Sequence, residues 1–253
     1  MMNKFTRFWS LTFCSIFSIY LSSCQTSPDH QQNTEGFTPI FDGETLNGWE
    51  GDTILWRVEN RTLVGEITPE IKLENNSFLI WKEGMTEDFE LKFEYKISEA
   101  GNSGVNYRSE RVEGLPYALR GYQADIDGKN QWTGQNYEER GRAILAFRGQ
   151  RVTLPTLSGS IKENVKNNVW TGAEVTESLG DKDSLATKIN DGWNEMHIIA
   201  KGNHLQHFVN GILMVDITDN DTVNRKLSGL LGVQVHRGPP MKAEFRNILF
   251  KEL

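Results

Sequence analysis

A regular alternation of apolar and polar side chains is the feature that most constrains how this chain folds. Over Phe89–Ile97, aromatic or aliphatic residues occupy every second position and Glu or Lys stand between them. This period of two is that of a β-strand with one buried face. No stretch of similar length keeps the 3.6-residue period of a helix, and 137–147 and 182–189 are at best short helices. The sequence therefore predicts an all-β protein.

Tight turns separate the predicted strands. Asn210-Gly211 stands between two strand patterns, and Asn-Gly tolerates the positive φ angles of a two-residue hairpin turn. Asn60-Arg61 marks another hairpin. Many short strands with glycine-rich turns predict a β-sandwich. Residues 148–190 are the least regular part and predict either a surface excursion or a loop that closes over a site.

The first 23 residues have the composition of an export signal. Positive charge at Lys4 and Arg7 precedes an apolar run that is too short and too interrupted to span a bilayer. The run ends in Leu-Ser-Ser-Cys, which resembles a bacterial lipobox, with cleavage before Cys24 and a lipid on its thiol. An ordinary signal peptide with an incidental cysteine is the alternative. We expect an exported, membrane-anchored lipoprotein that faces the periplasm or the cell exterior.

After this signal, residues 24–36 are expected to form a flexible tether and residues 37–253 a single domain. The chain has 34 acidic and 27 basic residues and a net charge of −7. No basic run is present, so nucleic acid is not an expected partner. The two cysteines, Cys14 and Cys24, both precede the domain, which leaves it no internal disulfide and no cysteine metal site.

Three predicted strands carry planar polar side chains on one face. Alternation within 105–108, 122–127 and 230–236 separates apolar residues from amide, acid, guanidinium and imidazole groups. An ordinary solvated face is the alternative, but such faces usually collect Lys, Glu and Thr. Planar hydrogen-bonding groups suit the recognition of vicinal hydroxyls. The polar face is expected to carry Asn106, Arg108, Gln123, Asp125, Asp127, Gln234 and His236.

Further candidates flank these strands. The Gly-Asn-Ser-Gly segment around Asn102 would let a ligand approach the backbone closely. Trp132 lies in a polar loop, where it would offer a flat platform to a sugar ring or cap the edge of the core. Glu138 beside Arg142 is either a buried functional pair or a solvated one. The tryptophans within strand patterns are expected in the core: Trp49, Trp56, Trp81 and Trp193.

Several segments, in matching order, resemble the 3-keto-disaccharide hydrolase family. The resemblance covers about 36–253 and rests on the segments 37–49, 101–105, 121–126, 193–194, 209–211, 232–236 and 244–248. Two positions depart from the family pattern. Arg61 stands where glycine is commoner in that turn. Arg237 follows His236 where a small residue is usual, which would narrow or recharge the mouth of a site.

The resemblance implies a concanavalin A-like jelly roll, in which two antiparallel sheets form a sandwich with a concave ligand face. It also implies action on 3-keto-glycosides, sugars that a separate dehydrogenase has oxidised at C3. A ketone at C3 acidifies the C2 proton, so a base can remove that proton while the C1–O bond eliminates. Water then adds to the double bond and completes a net hydrolysis.

Applied to this chain, the scheme makes Asp125 or His236 the base and Glu138 the acid that protonates the departing oxygen. The substrate-binding residues are expected to be Asn102, Arg108, Gln123, Trp132, Arg142 and Gln234. The sequence leaves open whether an arginine or a bound divalent cation acts as the electrophile.

Two other functions fit the same residues. A non-catalytic, lectin-like carbohydrate-binding module would use the same sandwich and polar face, because fold does not fix function. A conventional glycosidase would need two carboxylates at a defined separation across one bond. Ionisable groups placed to move protons distinguish an enzyme from a binding module.

Overall fold

The computed structural model describes residues 1–2 and 35–253. The export signal, the lipobox at Cys24 and almost all of the tether lie outside the described residues, so these assignments stay predictions. One compact unit spans Thr34–Leu253. Among the described residues, no helix has the length and apolar character needed to cross a membrane.

The described region consists of strands and two short helices. In chain order they are β1 (Thr38–Pro39), β2 (Trp49–Glu50), β3 (Trp56–Glu59), β4 (Thr62–Ile67), β5 (Ser77–Trp81), β6 (Phe89–Ile97), β7 (Asn102–Arg111), β8 (Leu119–Asp127), β9 (Asn136–Glu139), β10 (Ala143–Ala146), β11 (Gln150–Leu154), α1 (Ile161–Asn164), β12 (Val165–Lys166), β13 (Val169–Trp170), β14 (Glu174–Ser178), α2 (Lys182–Ala186), β15 (Asn194–Lys201), β16 (His204–Val209), β17 (Ile212–Asp219), β18 (Leu230–Val235) and β19 (Met241–Glu252).

Two sheets pack face to face as a jelly-roll sandwich, which confirms the predicted fold class. The ten-stranded sheet has the order β14-β11-β17-β16-β15-β6-β19-β4-β3, with β1 beside β19. The nine-stranded sheet has the order β12-β13-β10-β9-β8-β7-β18-β5-β2. The strand predicted over Phe89–Ile97 is β6 with the same bounds. The short helix considered over 137–147 is wrong, because β9 and β10 occupy that segment.

The sheets are mixed, which corrects the expectation of two purely antiparallel sheets. β10 pairs with β13, and β11 with β17, in parallel. The cause lies in residues 148–190, which cross between the sheets and add β11 and β14 to one edge and β12 and β13 to another. The helices in this segment are capped by the side chains of Ser160 and Asp181. The least regular part of the sequence is therefore ordered edge structure.

Aromatic side chains from both sheets fill the space between them. The ring of Phe250 stacks on Phe89 with centroids 5.6 Å apart and lies 5.2 Å from Trp81 of the opposite sheet. Phe89 also meets Tyr107 of β7 edge to face at 5.7 Å. Such pairs add to the stabilisation that comes from burying their area. This contact set fixes which face of β7 points into the core.

Three of the four tryptophans predicted in the core are buried there, namely Trp49, Trp56 and Trp81. Trp193 is the exception, because it lies half-buried on the outside of the ten-stranded sheet. Its ring packs against the guanidinium of Arg246 at 3.9 Å. This cation–π contact covers the ring without placing it in the core.

Candidate functional site

A cavity of about 500 Å³ lies on the outer face of the nine-stranded sheet, the face that points away from the ten-stranded sheet. Five sequence-predicted residues line it: Asn102, Gln123, Asp125, Trp132 and His236. The other lining residues are Asn75, Asn76, Gln135, Tyr137, Glu139, Arg140, Ile144, Asn168 and Arg237. The structure therefore brings together a polar pocket from segments that are distant in the sequence.

The alternation of β8 explains why Asp125 faces this cavity. Tyr122, Ala124 and Ile126 belong to the core between the sheets. The residues between them must point the other way, because successive side chains of a strand face opposite sides. Gln123 and Asp125 accordingly lie on the outer face, as the sequence predicted.

Amide side chains hold the Asp125 carboxyl from both sides. Gln123 donates through Nε2 to Oδ1 at 2.7 Å, and Gln135 donates through Nε2 to Oδ2 at 2.6 Å. Gln123 is itself fixed, since Gln234 donates to its Oε1 at 2.9 Å. Gln234 was predicted to bind the substrate, but it is fully buried and does not line the cavity. It acts on the site through its hydrogen bond to Gln123. This chain of amides fixes the carboxyl before any ligand arrives.

Burial raises the pKa of Asp125 from its ordinary 3.8 to about 7. The hydrogen bonds from Gln135 and Gln123 oppose the rise, whereas the nearby charges of Asp127 and Glu139 add to it. A carboxyl with a pKa near 7 exchanges a proton readily at neutral pH, which is the property of a general base or acid.

Gly104 makes room for this arrangement on the neighbouring strand. A Cβ added at this position would lie 2.6 Å from Cδ of Gln123, far inside van der Waals contact. The glycine therefore allows Gln123 to lie across β7. The close approach expected of this glycine segment is to a protein side chain and not to a ligand.

Glu139 is the second carboxyl of the pocket. It is 8% exposed and accepts a hydrogen bond from Nδ2 of Asn76 at 3.1 Å. Burial raises its pKa, while the hydrogen bond from Asn76 and the charges of Arg140 and Arg237 lower it. The acid predicted from the sequence was its neighbour Glu138, one position away.

Glu138 points into the sandwich, which corrects its assignment as the acid of the site. It pairs in register with Tyr122, so both side chains lie on the inner face. Its Oε2 accepts from Nε of Arg142 at 2.8 Å, and Arg142 also contacts Asp219 at 2.7 Å and Asp221 at 3.3 Å. Arg142 is fully buried. The expected pair exists, but it belongs to a buried ion cluster and does not line the cavity.

Arg108 also lies away from the pocket, contrary to its assignment as a sugar ligand. Its φ of 46° is left-handed, and the pairing of β7 with β8 shifts register beside it. This irregularity turns the side chain toward the ends of the other sheet. There the guanidinium donates to the carbonyl oxygens of Glu87 at 2.6 Å and Gly202 at 2.6 Å and pairs with Asp88 at 3.2 Å. Arg108 therefore ties the two sheets together.

His236 lies half-buried at the end of β18, and its backbone N–H donates to the carbonyl of Asn102 at 3.2 Å. Its Nδ1 lies 2.6 Å from the carbonyl oxygen of Arg237. A carbonyl only accepts, so Nδ1 carries the proton and Nε2 is an acceptor. Burial lowers the pKa of His236, and the Arg237 charge acts in the same direction. The imidazole is therefore neutral at neutral pH.

Trp132 lines the cavity from a loop that Asp127 organises. Asp127 Oδ1 accepts the backbone N–H groups of Trp132 at 2.8 Å and Thr133 at 2.9 Å. Arg148 clamps the same loop by donating to the carbonyl of Thr133 at 2.7 Å. The indole is 37% exposed, and Nζ of Lys182 lies 4.8 Å from its centroid. Trp132 is thus a fixed aromatic surface at the pocket.

Residues 148–190 contribute one residue, Asn168, to the lining of the pocket. Asn168 occupies the turn between β12 and β13 with a φ of 62°, and its Oδ1 accepts from the hydroxyl of Tyr137 at 3.3 Å. Burial raises the pKa of Tyr137 to about 12, so this phenol stays protonated as a donor. The segment is ordered edge structure, and the closing loop that the sequence allowed stays a prediction.

The described residues of the pocket hold no ready-made set of acidic, imidazole or thiol ligands for a metal ion. Both oxygens of Asp125 already accept amide hydrogens. Over 35–253, no three His, Cys, Asp or Glu side chains converge as ligands. A bound cation would need such a set of oxygen or nitrogen donors.

Together these features define a class: a jelly-roll sandwich with a polar, preorganised pocket that carries two buried carboxyls on one sheet face. Comparison with protein families gives the particular assignment. The model of the 3-keto-alpha-glucoside-1,2-lyase-like domain matches residues 36–251, and this chain belongs to that family.

A curated relative, the 3-keto-disaccharide hydrolase of Bacteroides thetaiotaomicron, is 33% identical over 87 residues. That match spans 32% of this chain and 30% of the relative. A candidate glycosyl hydrolase from Parabacteroides distasonis superposes with a TM-score of 0.53 at 18% identity, over 87% of this chain and 94% of its own. A Bacillus subtilis protein of galectin-like fold gives 0.50 at 11% identity, over 82% and 90%. These two likenesses concern the fold alone.

Proposed function

We propose that this protein cleaves 3-keto-glycosides by elimination across C1–C2, followed by hydration. The single observation that carries the proposal is the Asp125 carboxyl, which faces the pocket with a pKa raised to about 7. Family membership supports the choice of a 3-keto-glycoside as the substrate class, and the amide-rich lining suits a carbohydrate. A binding module has no need of a buried, proton-exchanging carboxyl.

Asp125 acts as the base in this scheme. It takes the proton from C2, and the electron pair left behind is delocalised onto the C3 oxygen. The C1–O bond then breaks, and the departing oxygen takes a proton from Glu139. Water adds across the C1–C2 double bond, so that the sum of the steps is hydrolysis.

Glu139 takes the role first assigned to Glu138 because it shares the cavity with Asp125. Its burial favours the protonated form that an acid needs. Side-chain amides of Asn102 and Asn76 line the same cavity and supply donors for sugar oxygens. Trp132 offers its indole face to a sugar ring.

The substrate requires a ketone at C3, so a separate sugar 3-dehydrogenase must supply it. We also propose that the protein is exported and held at a membrane by a lipid on Cys24, on the basis of the lipobox pattern. Cys24→Ala tests the anchor. The variant should move from the membrane to the soluble fraction of cells, and an unchanged membrane fraction would contradict the anchor.

The test of the reaction is a comparison of matched substrates. Purified protein is incubated with aryl 3-keto-glucosides and with the same glucosides unoxidised, and aglycone release is followed. The proposal expects release from the 3-keto compounds alone. Equal release from both series would indicate a conventional glycosidase, and binding without release would indicate a lectin-like module.

A further inference from the structure

Two arginines form one wall of the pocket. Arg140 lies in the turn between β9 and β10, and Arg237 follows β18. The segment before β5 joins them, since Arg140 donates through Nη2 to Oδ1 of Asn75 at 2.9 Å and the backbone N–H of Arg237 donates to Oδ1 of Asn76 at 3.0 Å. All four residues line the cavity, and they are here named the basic wall.

Most donors of the basic wall are available to a ligand. Arg237 is exposed, and its guanidinium makes one long hydrogen bond, from Nη1 to the carbonyl of Glu74 at 3.5 Å. Within residues 35–253 it has no ion-pair partner. Arg140 has a side chain 31% exposed, with Nε 3.8 Å from Glu139. A guanidinium has five N–H donors in a planar fork that matches a carboxylate.

The backbone at Arg140 adds an independent observation. Its φ of 56° is left-handed, in a turn closed by the N–H of Gly141 and the carbonyl of Glu138. Glycine or asparagine adopts this conformation at least cost. This turn places Arg140 beside Glu139, where its side chain lines the cavity.

The charges around the wall favour an anion. The chain as a whole carries a net charge of −7, yet the cavity has two arginines on one side. The titratable groups that share the cavity with them are Glu139, the neutral His236, the protonated phenol of Tyr137 and Asp125, whose pKa is about 7. Burial disfavours the charged form of both carboxyls, so an anion at this wall meets two cations against partly neutral acids.

We propose that the basic wall binds a carboxylate on the leaving group, so that the preferred substrate is a 3-keto-glycoside with an acidic aglycone or second sugar. The proposal rests on the proposed function, in which Glu139 protonates the departing oxygen. Asn76 contacts both Glu139 and Arg237, so the wall lies beside the group that meets the leaving oxygen.

The experiment uses two 3-keto-glucosides of matched size, one with a charged 4-carboxyphenyl aglycone and one with a neutral 4-carbamoylphenyl aglycone. We expect kcat/KM to favour the carboxylate by about tenfold. Arg237→Gln and Arg140→Gln should each remove most of the preference that the wild type shows for the carboxylate. Arg61→Gln, which removes an exposed arginine outside the pocket, should leave it unchanged. The ratio cancels any effect of the arginines on the acidity of Glu139.

A binding measurement separates this proposal from the proposed function. Calorimetry on Asp125→Asn with the same two compounds reports the charge preference even when no bond is cleaved. A carboxylate preference that Arg237→Gln abolishes supports the basic wall whatever the reaction. Equal binding of both compounds, or a preference that survives both arginine substitutions, would overturn it. Thermal melting of each variant shows that it folds.

Discussion

Gln135 donates through Nε2 to Oδ2 of Asp125 at 2.6 Å, and this contact tunes the group on which the proposed reaction depends. The donor stabilises the ionised carboxylate and so holds the pKa of Asp125 below the level that burial alone would give. Gln135 lies in the loop before β9 and Asp125 in β8. The pKa of Asp125 therefore depends on how this loop places the Gln135 amide.

Removal of this donor should shift the pH dependence of the reaction. Gln135→Met keeps the volume but loses the hydrogen bond, so we expect the rising limb of kcat/KM against pH to move up by about one pH unit. Activity at pH 7 falls and recovers at higher pH. Gln131→Met, at an exposed position of the same loop, is the matched control. A uniform loss at every pH would contradict a tuning role.

The two adjacent glutamates should respond in opposite ways to the same substitution. Glu139→Gln removes the proposed acid and is expected to lower kcat about 100-fold with an unchanged melting temperature. Glu138→Gln removes one of the three carboxylates that pair with the buried Arg142 and should lower the free energy of unfolding by about 3 kcal/mol. Chemical denaturation and steady-state kinetics on both variants measure the two effects. The reverse pattern would restore Glu138 as the acid.

Asp125 should make the folded protein less stable as the pH rises. Its pKa is about 7 in the folded state against an ordinary 3.8, so the folded state binds more protons between these values. The free energy of unfolding therefore falls from about pH 4 to pH 7, and the penalty is complete above that. Asp125→Asn should be more stable than the wild type by about 4 kcal/mol at pH 8 and nearly equal at pH 4. Denaturant unfolding at both pH values tests this, and an equal difference at each would contradict the burial of an ionisable carboxyl.

Much of the fold follows from local patterns, and part of the site does too. Alternation fixes the bounds of β6, and it places Gln123 and Asp125 on the outer face because Tyr122, Ala124 and Ile126 are evidently apolar. The two parallel strand pairings could not be predicted from the sequence, because they depend on where residues 148–190 cross between the sheets.

The remaining site residues depend on contacts that no local pattern contains. Glu138 and Glu139 are chemically identical neighbours, and only the register of Glu138 with Tyr122 decides which one faces the cavity. Arg108 leaves the polar face because of a left-handed residue inside a strand pattern. Asn76 meets Glu139 across 63 positions of sequence. A local signal for the register was the turn Glu139-Arg140-Gly141, because its glycine indicates that β9 ends at Glu139.

The most direct test of the central claim is the pH dependence of kcat/KM on an aryl 3-keto-glucoside, measured for the wild type and for Asp125→Asn. If Asp125 is the base, the wild type shows a rising limb with a midpoint near the carboxyl's pKa of about 7. Asp125→Asn should then lose at least about 100-fold in kcat at every pH while it stays folded. Near-wild-type turnover by Asp125→Asn, or a wild-type rate that falls through pH 7, would contradict the assignment.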